Sequence, residues 1–205
     1  GASAVHLAQT LGCRVAGVTL EREGVLAGYE LAKSGDVEDL VHFVQGPIQQ
    51  VQMTPRSFDF AIMECVLSLI ESKGEALGHL FGLLRPGGRL ALSDVTVNGL
   101  LPPELRGISA TVGCIGGALS LDDYAALLEE QGFDVVYREN RRGALSSLLR
   151  DIRRKLWIAD VARRLGRLRV GGELLGEGKR LLTSAQAQVR KGVLEYGLLV
   201  ARKPV

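Results

Sequence analysis

The sequence predicts an α/β fold in which a mostly parallel, doubly wound sheet ends in an antiparallel strand. Its 205 residues are 46% hydrophobic and 23% charged, which suits one ordinary globular core. Short β-branched runs alternate with segments of helical periodicity, and turns rich in glycine separate them. This alternation is typical of parallel sheets, which bind ligands beyond the carboxyl ends of their strands. The functional residues are therefore expected in the loops that follow the strands.

The first elements alternate strictly between helix and strand. Apolar residues at helical spacing predict a helix over residues 4–11, which ends at Gly12. The β-branched run that follows, residues 14–20, predicts a buried strand. The same criteria predict a helix at 23–34 and strands at 40–45 and 58–63.

The middle of the chain continues this rhythm. A helix is predicted at residues 73–84, and the sequence Arg85-Pro86-Gly87-Gly88 ends it and turns the chain into a strand at 89–94. Ser120 is an expected N-cap for a further helix. Beyond that cap, the pattern predicts a helix at 121–131 and strands at 133–137 and 193–201.

A basic segment, residues 141–191, separates the last two predicted strands. Its helical periodicity predicts two amphipathic helices at 144–165 and 172–190, inserted into a single domain of residues 1–205. A helix with one packed apolar face and one solvated cationic face is commoner than one that binds a membrane or an acidic partner. The apolar positions of the first helix are Leu145, Leu148, Leu149, Ile152, Leu156, Ile158 and Val161.

Charge and residue usage indicate a small-molecule partner. The net charge of +2, from 25 basic and 23 acidic residues, favours neither nucleic acid nor a membrane as partner, and a homodimer stays possible. No apolar run reaches the ~18 residues of a membrane span. Three cysteines without a Cys-x-x-Cys pair indicate free thiols in a reducing compartment, so a cytoplasmic location is expected. His6, His42 and His79 lack metal-ligand spacing, and no metal is expected.

Two segments carry a resemblance to a known family. Residues 57–64, Ser-Phe-Asp-Phe-Ala-Ile-Met-Glu, precede by about 20 residues the segment Leu-Arg-Pro-Gly-Gly-Arg-Leu at 84–90. Together they resemble the fourth strand and the following helix-turn-strand of class I S-adenosylmethionine-dependent methyltransferases. The resemblance implies a Rossmann-like sheet, S-adenosylmethionine as cofactor and methyl transfer to a small molecule. Gly1-Ala2-Ser3 resembles the end of that family's glycine-rich loop, so the first strand and most of the loop are expected to be missing from this domain.

The resemblance also implies a set of cofactor-binding residues. The amides that follow the glycine-rich loop are expected at the cofactor carboxylate, and the end of the second strand at the ribose. This sequence has threonine where the family usually has its ribose-binding acid, and Gly-Pro where it commonly has Gly-Asp at the adenine. Glu21 is equally consistent with a plain surface residue. The implied residues are Gly1, Ala2, Ser3, Thr19, Leu20, Glu21, Pro47, Ile48, Met63 and Glu64.

Two cysteine-containing segments resemble arsenite methyltransferases in particular. They are Met63-Glu64-Cys65-Val66-Leu67-Ser68-Leu69 and Gly113-Cys114-Ile115-Gly116-Gly117-Ala118-Leu119. The resemblance implies that Cys65 and Cys114 hold the substrate. Trivalent arsenic prefers thiolate ligands and, once bound, keeps a lone pair that can attack a sulfonium methyl group. The alternative is that both cysteines are buried and act as small apolar side chains.

Two other functions stay open from the sequence. The acceptor is an organic small molecule if residues 97–118 and 141–191 form its pocket, and Asp94 or Glu64 then serves as general base or merely caps a loop. A non-catalytic binding protein is the third hypothesis, because Thr19 and Pro47 replace the usual carboxylates.

Overall fold

A computed structural model describes residues 1–106 and 114–205. The chain divides into two compact units, Gly1–Pro55 and Arg56–Val205, and each is described by itself. Among the described residues, no helix combines the length and apolar character needed to cross a bilayer. The prediction of a single domain over residues 1–205 stays a prediction.

The first unit is a two-stranded parallel sheet with two helices. Its elements are helix α1 (Ala2–Leu11), strand β1 (Val15–Thr19), helix α2 (Arg22–Ser34) and strand β2 (Val41–Gln45). The strands pair in register from Val15↔Val41 to Thr19↔Gln45. Glycine is required opposite Phe43, because a Cβ on Gly17 would lie 2.6 Å from the Phe43 ring. The core consists of Val5, Ala8, Ala32, Val37, Val41 and Phe43.

The direction of α1 decides which of its ends lies near the ligand edge of this sheet. Gly12 ends the helix in the left-handed conformation, with φ 62°, as the sequence predicts. The chain then enters β1 only three residues later, so α1 and β1 run in opposite directions. The N-terminus of α1 therefore lies toward the carboxyl ends of β1 and β2.

The second unit contains a mixed four-stranded sheet. Its elements, in chain order, are β3 (Phe58–Glu64), a 3₁₀ helix (Leu67–Leu69), α3 (Lys73–Leu83), β4 (Leu84–Val97), α4 (Pro103–Arg106), α5 (Leu121–Glu130), β5 (Asp134–Asn140), α6 (Arg142–Arg164), α7 (Gly172–Lys191) and β6 (Leu194–Arg202). The strand order is β3-β4-β6-β5. Strands β3 and β4 are parallel, whereas β6 is antiparallel to both β4 and β5. The predicted α/β class with an antiparallel last strand is confirmed.

The boundary between α3 and β4 differs from the prediction. The segment Arg85-Pro86-Gly87-Gly88 does not connect a helix to a strand that begins at Arg89, because β4 already begins at Leu84, opposite Phe58. The next paired residues are Phe60 and Arg89, so four residues of β4 bulge opposite Asp59 alone. Gly87 has φ 77°, and a Cβ on Gly88 would lie 2.9 Å from the Arg85 carbonyl oxygen. The glycines are needed for the predicted steric reason, but at a bulge.

The two predicted basic helices form, but the apolar pattern of the first is packed only in part. Leu145 and Leu149 of α6 are buried in a core with Leu182, Ala185 and Val189 of α7. Leu148, Ile152, Ile158 and Val161, predicted for the packed face, are exposed. The packed face of α6 is therefore narrower than its seven apolar positions predict, because α7 covers only the side that carries Leu145, Leu149 and the half-buried Leu156.

The helix cap that the sequence predicts at Ser120 forms in the structure. Ser120 Oγ accepts a hydrogen bond from the Asp123 amide at 3.0 Å and begins α5, as predicted. The 3₁₀ helix at Leu67–Leu69 and the one-turn α4 carry no sequence signal of comparable strength. Both follow strands β3 and β4, where the sequence analysis expects functional loops.

Candidate functional site

The N-terminus of α1 provides a place for an anionic group in the first unit. Gly1 is its N-cap residue, and glycine has no side chain that could cap this end of the helix. The first-turn amides of a helix have no intrahelical acceptor, and the helix dipole favours an anion beside them. A Cβ on Gly1 would lie 2.6 Å from the Gly28 Cα, so glycine is required there for packing. That Gly1, Ala2 and Ser3 bind the cofactor carboxylate stays a prediction.

The predicted ribose-binding residues follow β1 directly. The Thr19 hydroxyl accepts a hydrogen bond from the Glu21 amide at 3.4 Å, and a Cβ on Gly24 would lie 2.8 Å from the Thr19 oxygen. The Thr19 side chain therefore folds back over the start of α2. Leu20 is exposed, and its carbonyl oxygen accepts from the Gln45 amide group at 3.2 Å. Glu21 is the exposed N-cap of α2 and carries the carboxylate nearest to the predicted ribose position along the chain.

The predicted adenine-binding segment follows β2 at the same edge of the sheet. Gly46 has φ 144° and donates its amide to the Thr19 carbonyl oxygen at 2.9 Å, which joins the two strand ends. Pro47 and Ile48 are half-buried, and the Pro47 carbonyl accepts from the Gln50 amide in a tight turn. Proline has no amide to donate, so the segment offers an apolar wall and the Ile48 backbone to a planar ring. These features fit S-adenosylmethionine mainly through backbone groups.

The last two predicted cofactor residues belong to the second unit, at the end of β3. Met63 is buried, so only its backbone faces away from the core, and Glu64 pairs with Ser93 in the sheet. Cys65 continues this pairing by donating its amide to the Ser93 carbonyl oxygen at 2.8 Å. It then turns the chain with φ 50°, an uncommon conformation for a residue other than glycine.

The structure brings the two predicted catalytic cysteines together in the second unit. The Cys114 thiol donates to the Cys65 carbonyl oxygen at 3.8 Å, although 48 residues separate them. Burial, and next the neighbouring Cys65 thiol, raise the pKa of Cys114 to about 11. Both side chains are half-buried rather than enclosed. Gly113, the first residue of the second predicted segment, lies outside the described residues, as do residues 107–112 of the proposed organic-acceptor pocket.

A buried carboxylate organises the loop that follows Cys65. Asp94 is 2% exposed and accepts hydrogen bonds from the Ser68 amide, the Ser68 hydroxyl and the Val95 amide, all between 2.8 and 2.9 Å. Burial raises its pKa, although these three hydrogen bonds oppose the shift. Asp94 therefore holds the Cys65 loop against β4. Contrary to the prediction, it does not end this strand, because β4 continues to Val97, but its contacts are those of the predicted loop-capping alternative.

Two tyrosines complete this cluster, and the sequence analysis did not find them. The Cys65 thiol donates to the Tyr196 hydroxyl at 3.5 Å, and that hydroxyl donates to Ser93 Oγ at 3.1 Å. Burial raises the pKa of Tyr196 to about 12, so the phenol stays protonated at neutral pH. Tyr124 is fully buried, and burial followed by the charge of Asp94 raises its pKa. For Tyr196 the one signal is strand order, because β6 lies beside β4 and places Tyr196 opposite Val95. Tyr124 lies on α5, next to the cluster.

The loop that contains Cys114 packs on the Cys65 loop through Gly117. A Cβ on Gly117 would overlap the Ser68 carbonyl oxygen and lie 3.2 Å from Lys73 Nζ. Lys73 donates to the Ile70 carbonyl oxygen at 2.7 Å, and burial lowers its pKa despite the nearby Asp94. The two cysteine loops thus approach each other by direct backbone packing. We refer below to Cys65, Ser68, Asp94, Cys114, Gly117 and Tyr196 as the dithiol cluster.

Comparison with known proteins identifies the family. A family model described as a methyltransferase domain matches residues 1–132, well over half of the chain. The chain belongs to the methyltransferase domain family. The resemblance to class I S-adenosylmethionine-dependent methyltransferases is confirmed, and so is its closeness to arsenite methyltransferases, three of which are among the relatives that the chain matches at 32–34% identity.

The relatives of this methyltransferase domain are longer proteins. It is 32% identical over 123 residues to an arsenite methyltransferase of Halobacterium salinarum, a match that covers 60% of this chain and 31% of that protein. The chain spans between 27% and 54% of the length of the first curated relatives that it matches.

Solved structures share the fold across nearly the whole chain. A protein described as a sarcosine dimethylglycine methyltransferase from Galdieria sulphuraria has a TM-score of 0.82 at 17% identity, covering 98% of this chain and 74% of that one. Phosphoethanolamine N-methyltransferase 2 of Haemonchus contortus, in complex with S-adenosyl-L-methionine, has a TM-score of 0.81 at 17% identity and covers 100% of this chain and 46% of that one. At these identities the likeness concerns the fold alone.

Proposed function

We propose that the protein transfers a methyl group from S-adenosylmethionine to trivalent arsenic held by Cys65 and Cys114. The observation that carries this proposal is the convergence of the two cysteine loops in the dithiol cluster. Two half-buried thiols on adjoining loops suit a soft, thiol-binding substrate. The similarity to arsenite methyltransferases supports the same choice.

The thiols bind arsenite by condensation. Each thiol replaces one hydroxyl of arsenous acid, forming an As–S bond and releasing one water, so the thiol proton leaves with the displaced hydroxyl. Burial raises the pKa of Cys114 to about 11, so its thiol enters this exchange in the protonated form. Once bound, the arsenic keeps its lone pair.

The chain supplies alignment more than acid-base chemistry. S-adenosylmethionine, when bound, supplies an electrophilic methyl group on a sulfonium centre. Tyr196 holds the Cys65 thiol by a hydrogen bond, and Asp94 holds the Cys65 loop through Ser68. Fixing a soft nucleophile in a water-poor site is the main requirement of such a transfer.

The cofactor residues are proposed on the chemistry of the first unit. The first-turn amides at Ala2 and Ser3 suit the carboxylate, Glu21 suits the ribose hydroxyls, and Pro47 with Ile48 suits the adenine ring. Leu20, Met63 and Glu64 are proposed to contribute through their backbones. The assignment depends mainly on backbone groups, because Glu21 supplies the one carboxylate in the first unit's part of the set.

The test is an arsenic-methylation assay on the full chain with S-adenosylmethionine, arsenite and a thiol reductant. We expect methylated arsenic, and a fall of about 100-fold or more in rate for Cys65→Ser and for Cys114→Ser. Cys13→Ser is the matched control, because Cys13 lies in the first unit and donates only to the Leu7 carbonyl oxygen. Absence of methylated arsenic, or a full rate in Cys114→Ser, would contradict the proposal.

An organic small-molecule acceptor is the second candidate. Asp94 is 2% exposed and accepts three hydrogen bonds inside the protein, so it positions the Cys65 loop rather than contacting such an acceptor. Methylation of an organic acceptor that survives both cysteine substitutions would select this function. Calorimetry with S-adenosylmethionine separates both candidates from a non-catalytic binding protein, which binds no cofactor.

A further inference from the structure

Positive charge is concentrated in one segment of the chain. Residues 141–170 contain ten basic and two acidic residues, a net charge of +8, whereas the whole chain carries only +2. All other residues together therefore carry a net charge of −6. The net charge of the complete sequence is near zero, and for this reason the sequence analysis expects no membrane partner. That net value does not show how unevenly the charges are distributed along the chain.

Several of these basic residues have no acidic partner. Asp160 forms ion pairs with Arg163, Arg164 and Lys179, and Glu195 pairs with Arg142. Among the described residues, Arg150, Arg153, Arg154 and Lys155 form no ion pair with a carboxylate. All four are exposed on the middle of α6.

Large apolar side chains share this exposed side of α6. Trp157, Ile158 and Leu165 are 63%, 52% and 65% exposed, and Val161 is also exposed. Trp157, Val161 and Leu165 are spaced by four residues and lie on one side of the helix, as do Arg150, Arg154 and Ile158. The exposed side therefore combines apolar and cationic groups. We define it as the outer face of α6: Arg150, Asp151, Arg153, Arg154, Lys155, Trp157, Ile158, Val161 and Leu165. Asp151 is its one acidic residue, so the face keeps a net charge of +3.

We propose that the outer face of α6 binds the surface of an anionic lipid bilayer. An interfacial helix places Trp and aliphatic residues at the headgroup boundary while Arg and Lys contact acidic headgroups, and both sets are present here. Charge complementarity decides against a symmetric pair of chains, because such a contact would bring the cationic face against itself. The four large apolar groups distinguish this face from a surface that binds only phosphates.

The test uses Trp157 as its own reporter, because it is the single tryptophan of the chain. Its emission is measured on the full chain with vesicles of phosphatidylcholine containing phosphatidylglycerol, and with pure phosphatidylcholine vesicles. We expect a blue shift, and quenching by brominated lipid, only with the anionic vesicles. Binding should weaken as salt is raised. The same emission shift with both kinds of vesicle, or with neither, would overturn the proposal.

Two variants separate the charge from the apolar contribution. Arg153→Gln with Arg154→Gln should weaken vesicle binding by about 30-fold, since each cation near the surface contributes about fivefold. The matched control removes two exposed charges from the end of α7, by Arg190→Gln with Lys191→Gln, and should leave binding within about twofold. Ile158→Ser with Leu165→Ser should abolish the blue shift while circular dichroism stays unchanged.

Other occupants of this face give distinct results. A blue shift that grows with protein concentration in the absence of lipid would show that a second copy covers the outer face, and would overturn the proposal. A shift produced by RNA but not by anionic vesicles would overturn it in favour of nucleic acid. Equal vesicle binding by the Arg153/Arg154 variant and the native chain would also overturn it.

Discussion

The two units of the chain carry their candidate functional residues in opposite ways. In the first unit, the residues proposed for the cofactor lie at exposed strand ends and act through backbone groups, with Glu21 as the one carboxylate among them. In the second unit, the dithiol cluster joins buried and half-buried side chains by hydrogen bonds, and burial shifts several of their pKa values. A substitution in the first unit should therefore change binding with little effect on stability, whereas one in the second should change both.

The largest expected effect on stability is at Asp94. Asp94→Ala leaves the Ser68 amide, the Ser68 hydroxyl and the Val95 amide without their acceptor inside the protein. We expect a loss of about 3 kcal/mol in the free energy of unfolding, measured by urea denaturation. A loss below about 1 kcal/mol would show that water replaces the carboxylate and that the second unit is not organised around it.

Asp94 should also make the stability of the protein depend on pH, in a direction that its raised pKa fixes. Because burial raises the folded-state pKa of Asp94, the folded protein binds this proton more tightly than the unfolded chain does. Its contribution to stability is present below the usual Asp pKa of about 4 and is lost as pH rises through the raised pKa. As pH rises through this range, the free energy of unfolding of the native protein should therefore fall relative to that of Asp94→Asn. If the two proteins show the same pH dependence of stability, the pKa of Asp94 is not raised.

The Cys114 thiol should react slowly with iodoacetamide. With its pKa raised to about 11, its thiolate fraction at pH 8 is about 100-fold below that of an unperturbed thiol. The rate, followed by mass spectrometry of the peptide, should rise about tenfold per pH unit from 8 to 10. Arsenite should protect Cys65 and Cys114 but leave Cys13 reactive, and equal protection of all three would contradict a specific site.

The close approach of the two cysteine loops is tested at Gly117. Gly117→Ala places a methyl group against the Ser68 carbonyl oxygen and should cost about 2 kcal/mol in the free energy of unfolding while also weakening arsenite binding. Gly82→Ala is the matched control, since a Cβ there meets nothing within 4 Å and lies in a helix. The control should be neutral or stabilising by up to ~1 kcal/mol. Equal effects in both variants would show that the loops do not pack tightly.

The smallest expected effect belongs to the first unit. Glu21→Gln should weaken S-adenosylmethionine binding by about fivefold, measured by calorimetry, with no change in the unfolding midpoint. Glu38→Gln, an exposed carboxylate of the same unit, serves as the control. An unchanged affinity would show that Glu21 is a plain surface residue, the alternative stated in the sequence analysis.

Local signals explain which parts of the fold were predictable. The helix that ends at Gly12 and the helix that begins at Ser120 form where the sequence places them, because each is ended or begun by groups adjacent in the chain. The bulge at Arg85–Gly88 was misplaced because its form depends on pairing with Phe58 and Phe60, which lie 25 or more residues earlier. The exposure of Ile158 depends on the position of α7, and helical spacing within α6 cannot predict that position.

The sequence by itself determined the fold class and the family, and it singled out Cys65 and Cys114 as candidate site residues. Each of these inferences rests on residue order and short spacing. Only the tertiary structure decided that Cys65 and Cys114 meet, that Tyr196 contacts Cys65, and that Asp94 is enclosed. The physical reason is strand order: β6 returns antiparallel beside β4 and brings Tyr196 to a site 131 residues away from it along the chain. Contacts of that range depend on how the sheet is assembled, and no local pattern specifies it.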